Sequence, residues 1–532
     1  MNYGGAGARH SLFVLLRRMR TPLVVLILAY AVAVLGFVLV PGVTPEGRPW
    51  RMDFLHATYF VSFLGTTIGL GEIPYPFSPA QRLWGTVSIY LTVLAWLYSI
   101  GALLNILQDP LMRRLLAVSR FERQVRRLHE PFYILCGYDD AGRHVTRELC
   151  ADDIPVVVLE QDAGLSDAVE VDQHALPVPA LQADASDPQA LLRAGLRHPL
   201  CQGVLALTGN DAVNTKVALS ARLLAPTVKV LCAVHHHEWH ARMKLAGADA
   251  LINPFDSFAE RMAIALAQPS LHVIYEALTA QRHGVMHDVN PLPRGRWLLC
   301  GWTPLSRALR HRLQGFDIDF HVIDANADAK LEASCDHLLR GCATDAGVLR
   351  KAQIEDAQVL VAATDDDIDN LAIAVAARQL APDLPVIVRR TQSRNAVVFR
   401  ESGARLVMAT GYMVATEVLR HTRAPLLAQF LQLAARQDEA WAAALLQRLR
   451  GQVGDEILES WAQSLRQAQS FAELRARVEA RSGPQRAVPL MRLRQGDAVL
   501  VQGEDFELLP DDLLLMTGCA RSRRQFRAWA RR

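Results

Sequence analysis

The sequence predicts a chain in two parts: an α-helical segment with two membrane spans, then an α/β region of two tandem Rossmann-like parallel-sheet domains closed by a small α+β subdomain. Three observations predict this. Leu23 to Val40 and Leu83 to Leu107 are uncharged runs of 18 and 25 residues, each long enough to cross a bilayer. From Phe132 onward, short apolar runs alternate with helical stretches, the pattern of a parallel sheet with crossover helices. That series then recurs: Gly137 and Gly301 end matching strands 164 residues apart, as do Glu160 and Asp324.

Composition sets the outer limits. With 532 residues the chain has room for three or four domains, and 51% hydrophobic with 21% charged residues is close to a soluble average. A large soluble region therefore dilutes the membrane part. A net charge of +3 gives no case for nucleic acid. Eight Cys without a CxxC pair point to neither a zinc ribbon nor a disulfide framework, and read as free thiols in a reducing cytosol. No nucleophile–base pair stands out in the sequence, so no catalysis is read.

In chain order, residues 1–20 form a basic N-terminus with Arg17, Arg18 and Arg20, followed by a first span over 22–41 bracketed by Pro22 and Pro41. It has no small-residue cleavage site after it and reads as an anchor. Residues 53–65 make a short apolar helix with Asp53 as its N-cap, too short to cross. Then comes Thr66-Thr67-Ile68-Gly69-Leu70-Gly71-Glu72. Gly69 and Gly71 allow dihedrals that an L-residue resists, so successive carbonyls can point the same way, while Thr67 and Ile68 are stiff. At membrane depth such a segment is tolerated only where it packs in protein or lines a watery path. The second span covers 83–107, completing a membrane domain over 21–107, and Gly101 is a candidate hinge or packing residue. Arg113, Arg114, Arg120, Arg123, Arg126 and Arg127 follow in a linker over 108–130, so the positive-inside rule puts both termini in the cytoplasm and the 66–72 loop outside.

The first α/β domain spans 131–290 and the second 291–425. Tyr133–Cys136, Val156–Leu159, Val204–Leu207 and Val228–Leu231 read as buried strands, with Trp297–Cys300 and His321–Asp324 as the matching first two of the second copy. Ala185-Ser186-Asp187 pairs with Ala343-Thr344-Asp345, and Thr208-Gly209-Asn210-Asp211 with Thr364-Asp365-Asp366-Asp367. Residues 426–532 form the last subdomain: an Ala-, Arg-, Leu- and Gln-rich stretch from Leu431 to Arg481 reads as helical, Ala487 to Leu515 as short strands turning at Gln495-Gly496 and Pro510-Asp511, and the basic tail from Arg521 as a solvated helix end.

Thr67-Ile68-Gly69-Leu70-Gly71, with Thr66 before it and Glu72 after, resembles the TVGYG loop whose carbonyls replace the hydration shell of K⁺ in potassium channels. With the two glycine turns, the acids at the second strands and the Thr-x-x-Asp segments, roughly residues 20–425 resemble prokaryotic two-helix potassium channels carrying tandem RCK domains, regulators of K⁺ conductance also called TrkA-N domains. Leu508 to Met516 resembles the ending of that family's C-terminal subdomain. The resemblance implies a homotetramer in the inner membrane, in contact with lipid, conducting K⁺ through a filter of Thr66, Thr67, Ile68, Gly69, Leu70 and Gly71. It implies a gating ring of eight cytoplasmic domains that small ligands expand or contract. Two residues depart from the family pattern. Leu70 replaces Tyr and Glu72 replaces Asp, so the hydroxyl that braces the filter is missing and a non-selective cation channel is the alternative.

The first glycine turn is Gly137-Tyr138-Asp139-Asp140-Ala141-Gly142. In the dinucleotide fingerprint the second glycine admits the pyrophosphate, and here it is Asp139. Glu160 stands where an acid bonds a ribose hydroxyl, and Asp184 and Thr208 end the following strands. These six positions, Gly137, Asp139, Gly142, Glu160, Asp184 and Thr208, are a candidate site for NAD(H) or an adenine nucleotide, with a divalent cation as a further candidate. The second copy offers Gly301, Asp324 and Thr364 but has lost both later glycines, and Cys342 stands at the position of Asp184. His235-His236-His237-Glu238-Trp239-His240 has two His on one helical face but no HExxH spacing, and reads as a helix start. Asp365-Asp366-Asp367-Ile368-Asp369 lacks the Gly and the closing Glu of an EF-hand, and reads as acids favoured at a helix N-terminus. A membrane-tethered nicotinamide oxidoreductase is the competing class, but it needs a substrate domain that the sequence does not display.

Overall fold

The computed structural model describes residues 6–530 apart from 46, 67, 70, 109, 280–285, 287, 288, 290, 328–336, 424, 455 and 465–468. It forms two compact units, Met1–Arg126 and Arg127–Arg532.

In the first unit, α1 (Ala6–Leu39) and α3 (Pro79–Gln108) contain the two stretches able to span a membrane, Met19–Leu39 and Pro79–Asn105. The first helix does not stop at Pro22, as the sequence suggests, but runs through it. A proline inside a helix leaves the carbonyl four residues before it without its N–H partner, a loss that membrane helices tolerate. Ser99 Oγ of α3 donates to the carbonyl of Pro22 itself at 3.2 Å, tying α3 to α1. Between the spans lie the two-residue strands β1 (Gly42–Val43) and β2 (Pro49–Trp50), and then α2 (Phe54–Gly65). Asp53 caps α2 by accepting from His56 N at 2.7 Å. Phe37, Phe60 and Phe77 pack ring against ring with centroids 4.8 to 5.7 Å apart, and this aromatic cluster fixes α2 against α1. Trp84 of α3 lies against Gly36, where a Cβ would sit 1.9 Å from the indole, and its Nε1 donates to Ala33 O at 3.1 Å. α4 (Pro110–Arg126) follows α3.

The second unit begins with β3 (Phe132–Cys136), α5 (Asp140–Ala151), β4 (Val156–Glu160), α6 (Ala163–Val171), β5 (Ala180–Gln182), α7 (Pro188–Arg193), β6 (Cys201–Ala206), α8 (Asp211–Leu224), β7 (Lys229–Ala233), α9 (His240–Leu245) and β8 (Ala250–Ile252). These strands form a six-stranded parallel sheet in the order β5-β4-β3-β6-β7-β8. Two helices follow, α10 (Pro254–Ala267) and α11 (Pro269–Thr279). The series then repeats as β9 (Gly295–Cys300), α12 (Pro304–Arg312), β10 (Ile318–Asp324), β11 (Leu338–Arg340), α13 (Ala346–Lys351), β12 (Val359–Ala362), α14 (Asp367–Leu380), β13 (Val386–Arg390), α15 (Ala396–Glu401) and β14 (Leu406–Ala409). This sheet is also parallel and six-stranded, in the order β11-β10-β9-β12-β13-β14. Both are doubly wound sheets whose strand order reverses beside the first strand, which is where such folds bind ligands.

The two sheets exchange helices. α10 follows the first sheet in sequence, yet Phe255, Phe258, Ala259 and Met262 pack with Trp297, Leu299 and Val361 in the core of the second. α16 (Thr410–Arg423) follows the second sheet, yet Val414, Ala415, Val418 and Leu419 pack with Leu135, Val158 and Leu205 in the core of the first. Where the exchanged pieces meet, Tyr275 of α11 donates to Glu417 Oε1 at 3.2 Å, and Arg261 of α10 lies over the Tyr275 ring at 5.4 Å.

The remainder comprises α17 (Pro425–Ala434), α18 (Glu439–Val453), β15 (Glu459–Ser464), β16 (Gln469–Ser470), α19 (Phe471–Ser482), β17 (Ala487–Arg494), β18 (Asp497–Leu500), β19 (Glu507–Leu508), β20 (Leu513–Gly518) and α20 (Ala520–Ala530). An antiparallel sheet in the order β15-β20-β17-β18 organises it. β15 lies inside the stretch that the sequence suggests is wholly helical. It is a strand because Trp461 enters the core with Phe471 and Leu514 while Ala462 faces out. The tail helix α20 is not wholly solvated either, since Phe526 is buried in that same core.

Candidate ion pathway and ligand crevices

In the first unit the capped helix α2 ends at Thr66, whose hydroxyl donates to Ser62 O at 2.9 Å, and Ile68 N donates to Phe63 O at 3.1 Å. Gly69 and Gly71 then take φ of +66° and +92°, dihedrals that favour glycine. Thr67 and Leu70 of the sequence-derived filter lie outside the described residues. Ile68 is 66% exposed, and a Cβ at Gly69 or Gly71 would meet nothing within 4 Å. Glu72 ends the segment in a fork with Arg82 of α3, and the Phe77 amide donates to it at 2.8 Å. The Arg82 hydrogen bonds, with that amide, hold its carboxyl below the usual carboxylate range. Gly101, a candidate packing residue, has nothing within 4 Å in the single chain.

In the first sheet the turn after β3 begins at Gly137, with φ of +97°, where a Cβ would come within 3.0 Å of the Thr208 backbone. Glu160, at the end of β4, is buried and spends its carboxylate on the main chain. Oε2 accepts from Tyr138 N at 2.5 Å and Oε1 from Asp162 N at 2.8 Å. Asp139 does not turn toward Arg143, which pairs with Asp172 instead. It is the N-cap of α5, with Oδ1 accepting from Ala141 N at 3.0 Å and Gly142 N at 3.2 Å. The carboxylate thus sits on the helix N-terminus that a phosphate uses in a dinucleotide site. Gly142 serves packing, since a Cβ there would lie 2.1 Å from the Gly137 carbonyl. Asp184 accepts from Ser186 N at 2.8 Å.

Thr208 is held by a residue the sequence reading passed over. Its hydroxyl donates to Asn214 Oδ1 at 2.6 Å, and Asn214 Nδ2 donates to Thr208 O and Ala233 O. The second copy repeats this clasp with Thr364 and Asn370, at 2.8 Å. The signal was present in both copies as Thr-x-x-Asp-x-x-Asn. Asp211 accepts from the main chain and rings of His235 and His236. Burial opposes its ionisation, but those hydrogen bonds outweigh it and hold the carboxyl down to about 2. The histidine run is thereby tied to a structural acid.

The second crevice differs in the features that matter for an anion. Asp324 repeats the role of Glu160, accepting from Trp302 N and Asn326 N at 2.7 Å each. At the position of Asp139, however, Thr303 does not cap α12; its hydroxyl donates to Ala363 O at 2.6 Å. Ser306 replaces Gly142, and its Oγ donates to Gly301 O at 2.5 Å. Gly301, Trp302, Asp324, Cys342, Thr364 and Asp369 line a cleft of about 500 Å³ there. The structure therefore brings the second-copy residues Gly301, Asp324 and Thr364 around one open space.

Residues 133–254 and 297–410 match the TrkA-N domain family. Potassium channel protein 1 of Methanocaldococcus jannaschii is 24% identical over 38% of this chain and 59% of its own length. Voltage-gated potassium channel Kch of Escherichia coli is 26% identical over 46% of this chain and 58% of its own length. The chain spans between 37% and 63% of the length of the curated relatives it matches. Among solved structures, the GsuK channel bound to NAD is similar at 16% identity with a TM-score of 0.47, over 98% of this chain and 99% of that one. The two stretches similar to the TrkA-N domain family, 133–254 and 297–410, thus cover most of the two sheets, in a chain similar to potassium channel proteins of M. jannaschii and E. coli.

Proposed function

We propose that the chain is the subunit of a ligand-gated potassium channel, with both termini in the cytoplasm of a cell whose inner membrane it spans. The observation that carries this is the 66–72 segment. A capped short helix leads into two glycines at positive φ, between two helices able to span, and a Cβ at either glycine would meet nothing within 4 Å in the single chain. A glycine-paced backbone at membrane depth needs protein or water around it. Four copies around one axis supply both, with carbonyls of 67–70 facing the ion. The potassium-channel names of the relatives favour K⁺ as that ion. Leu70 in place of Tyr supports a second reading, a non-selective cation channel of the same architecture.

The TrkA-N pair supplies the regulatory ring, and a small molecule in a crevice biases the pore by binding open and closed rings with different affinity. The second crevice encloses an open cleft, and no side chain caps its helix. A nucleotide in the first crevice needs the Asp139 carboxylate displaced or bridged by a divalent cation. Liposomes loaded with K⁺ and reconstituted with the purified chain test the reading. Flux that responds to NAD(H), adenine nucleotides or divalent ions is expected. Absence of K⁺ flux together with NAD(P)H consumption in detergent replaces the channel with an oxidoreductase.

A further inference from the structure

At the end of β10 away from Asp324, Asp319 and His321 stand two residues apart and so share one face of the strand. β10 pairs in parallel with β11, Val322 opposite Leu338, and this register sets His337 beside His321. The two imidazoles stack with centroids 4.3 Å apart and planes 5° apart. Both turn Nε2 toward the same carboxylate: His321 is 2.8 Å from Asp319 Oδ2 and His337 is 3.8 Å from Oδ1. One ligand atom from each of the three residues lies within 4.8 Å of the other two. The His337 carbonyl accepts from Val322 N at 2.8 Å, so the main chain fixes this neighbour relation.

We propose that Asp319, His321 and His337 form a regulatory or structural site for a divalent transition metal of the zinc type. This goes beyond the channel reading and does not depend on it. Tetrahedral zinc, with bonds of about 2.0–2.2 Å to imidazole nitrogen and carboxylate oxygen, holds its ligand atoms roughly 3.3–3.5 Å apart. The 2.8 and 3.8 Å separations bracket that spacing, and because the ring planes lie 5° apart, the exposed His337 imidazole rotates out of the stack to aim its Nε2 at an ion shared with His321. Two imidazoles and one carboxylate leave a fourth position for water. Ca²⁺ and Mg²⁺, which take oxygen ligands, fit this set poorly.

Arg296 opposes the metal. Its Nη2 donates to His321 Nδ1 at 3.2 Å and to Ala352 O at 3.0 Å. With Nδ1 accepting, His321 carries its proton on Nε2 and donates to Asp319. A metal at Nε2 sends that proton to Nδ1 and breaks the Arg296 bond, while Arg296 keeps Ala352 O and Gln353. Ligating histidines ordinarily donate their second N–H to an acceptor, and this one faces a cation. The site is therefore a moderate-affinity one, filled when metal is in excess. It is distinct from the crevice, about five strand residues or roughly 16 Å from Asp324 along β10.

The test is a Co²⁺ titration of the metal-stripped full chain in detergent, followed by visible absorption and displaced with Zn²⁺. The wild type should show tetrahedral bands that saturate. His337→Asn and Asp319→Asn should lose them or weaken binding at least about tenfold. Both residues are more than half exposed, so the fold is expected to survive either change. Arg296→Gln should tighten binding, a result that a merely structural triad does not give. His240→Asn, in the separate histidine run, should leave the titration unchanged. Bands that are absent from the wild type, or that persist in both His337→Asn and Asp319→Asn, overturn the proposal.

Discussion

Glu72 holds Arg82 with both carboxylate oxygens, 2.9 Å from Nε and 3.3 Å from Nη2, and so ties the end of the 66–72 segment to α3. Where a Tyr hydroxyl would brace such a segment, Leu70 offers none, and this fork is the polar restraint beside it. Glu72→Gln should therefore lower the K⁺/Na⁺ permeability ratio, and Leu70→Tyr should keep or raise it. Bi-ionic reversal potentials measure both. Because the pair keeps the Glu72 carboxyl below its ordinary range, wild-type selectivity should hold as pH falls from 7 to about 5. A ratio that is unchanged in Glu72→Gln would remove the fork from the mechanism.

Gly69→Ala or Gly71→Ala forces an L-residue into φ of +66° or +92°, at a cost of about 1 kcal/mol or more, although each Cβ has space. Conduction should be lost or deselected with little change in the thermal stability of the second unit. Selective K⁺ flux at the wild-type level in either variant would mean that these carbonyls do not line the path.

Asp139 and Glu160 separate two roles that the fingerprint merges. Asp139→Gly removes the α5 cap at a cost of a few tenths of a kcal/mol and frees the helix N-terminus. Nucleotide affinity without divalent ions should rise. Glu160→Ala leaves the Tyr138 and Asp162 amides without their acceptor, a loss of about 1–3 kcal/mol, so its first effect should be a lower Tm. Calorimetry and thermal unfolding on the same preparations distinguish these outcomes. If Asp139→Gly binds no better while Thr303→Asp abolishes binding, the ligand belongs to the second crevice.

The exchange of helices makes an asymmetric prediction. Phe258 precedes the second repeat in sequence, yet Phe258→Ala should destabilise by about 3–5 kcal/mol and raise hydrogen exchange in β9 and β12 before β3 and β6. Faster exchange confined to the first sheet would contradict the packing.

Asp211 sets a pH dependence. Its carboxyl is held at about 2 against an ordinary value near 3.9, worth roughly 2 kcal/mol. A depressed acid contributes stability above its unfolded pKa and loses it as pH falls through its folded one. The wild type should therefore lose this share between about pH 4 and 2, and Asp211→Asn should lack it at neutral pH and show a flatter acid limb. Denaturant unfolding at a series of pH values checks the sign.

The sequence discloses what is periodic or local. The doubled sheets follow from the spacing of Gly137, Glu160, Gly301 and Asp324, because each marks the carboxyl end of a strand. Asp53 is legible as a cap from its place before an apolar run. What packs on what is not periodic. Nothing in Phe255–Met262 says which sheet its apolar face will cover, so a boundary at residue 290 conceals the exchange. The role of Asp139 is likewise invisible, since a carboxylate beside a glycine turn reads equally as an obstacle and as a cap. β15 escapes because its signals, the helix-ending Gly454 and the Ser460-Trp461 pair, are short breaks in a stretch whose composition otherwise favours helix.

The exchange also has a schedule. The first sheet is complete at Ile252, but the helix that finishes covering it begins at Thr410, about 160 residues later. At the usual rate of roughly 5–20 residues per second, that is a wait of about 8–30 s on the ribosome. During that interval Leu135, Val158 and Leu205 lack their partners in Val414, Val418 and Leu419, while α10 emerges before the sheet it will cover. The nascent chain thus carries apolar surface that only its own later synthesis can hide, and a pause or break between the repeats would strand both halves in that state.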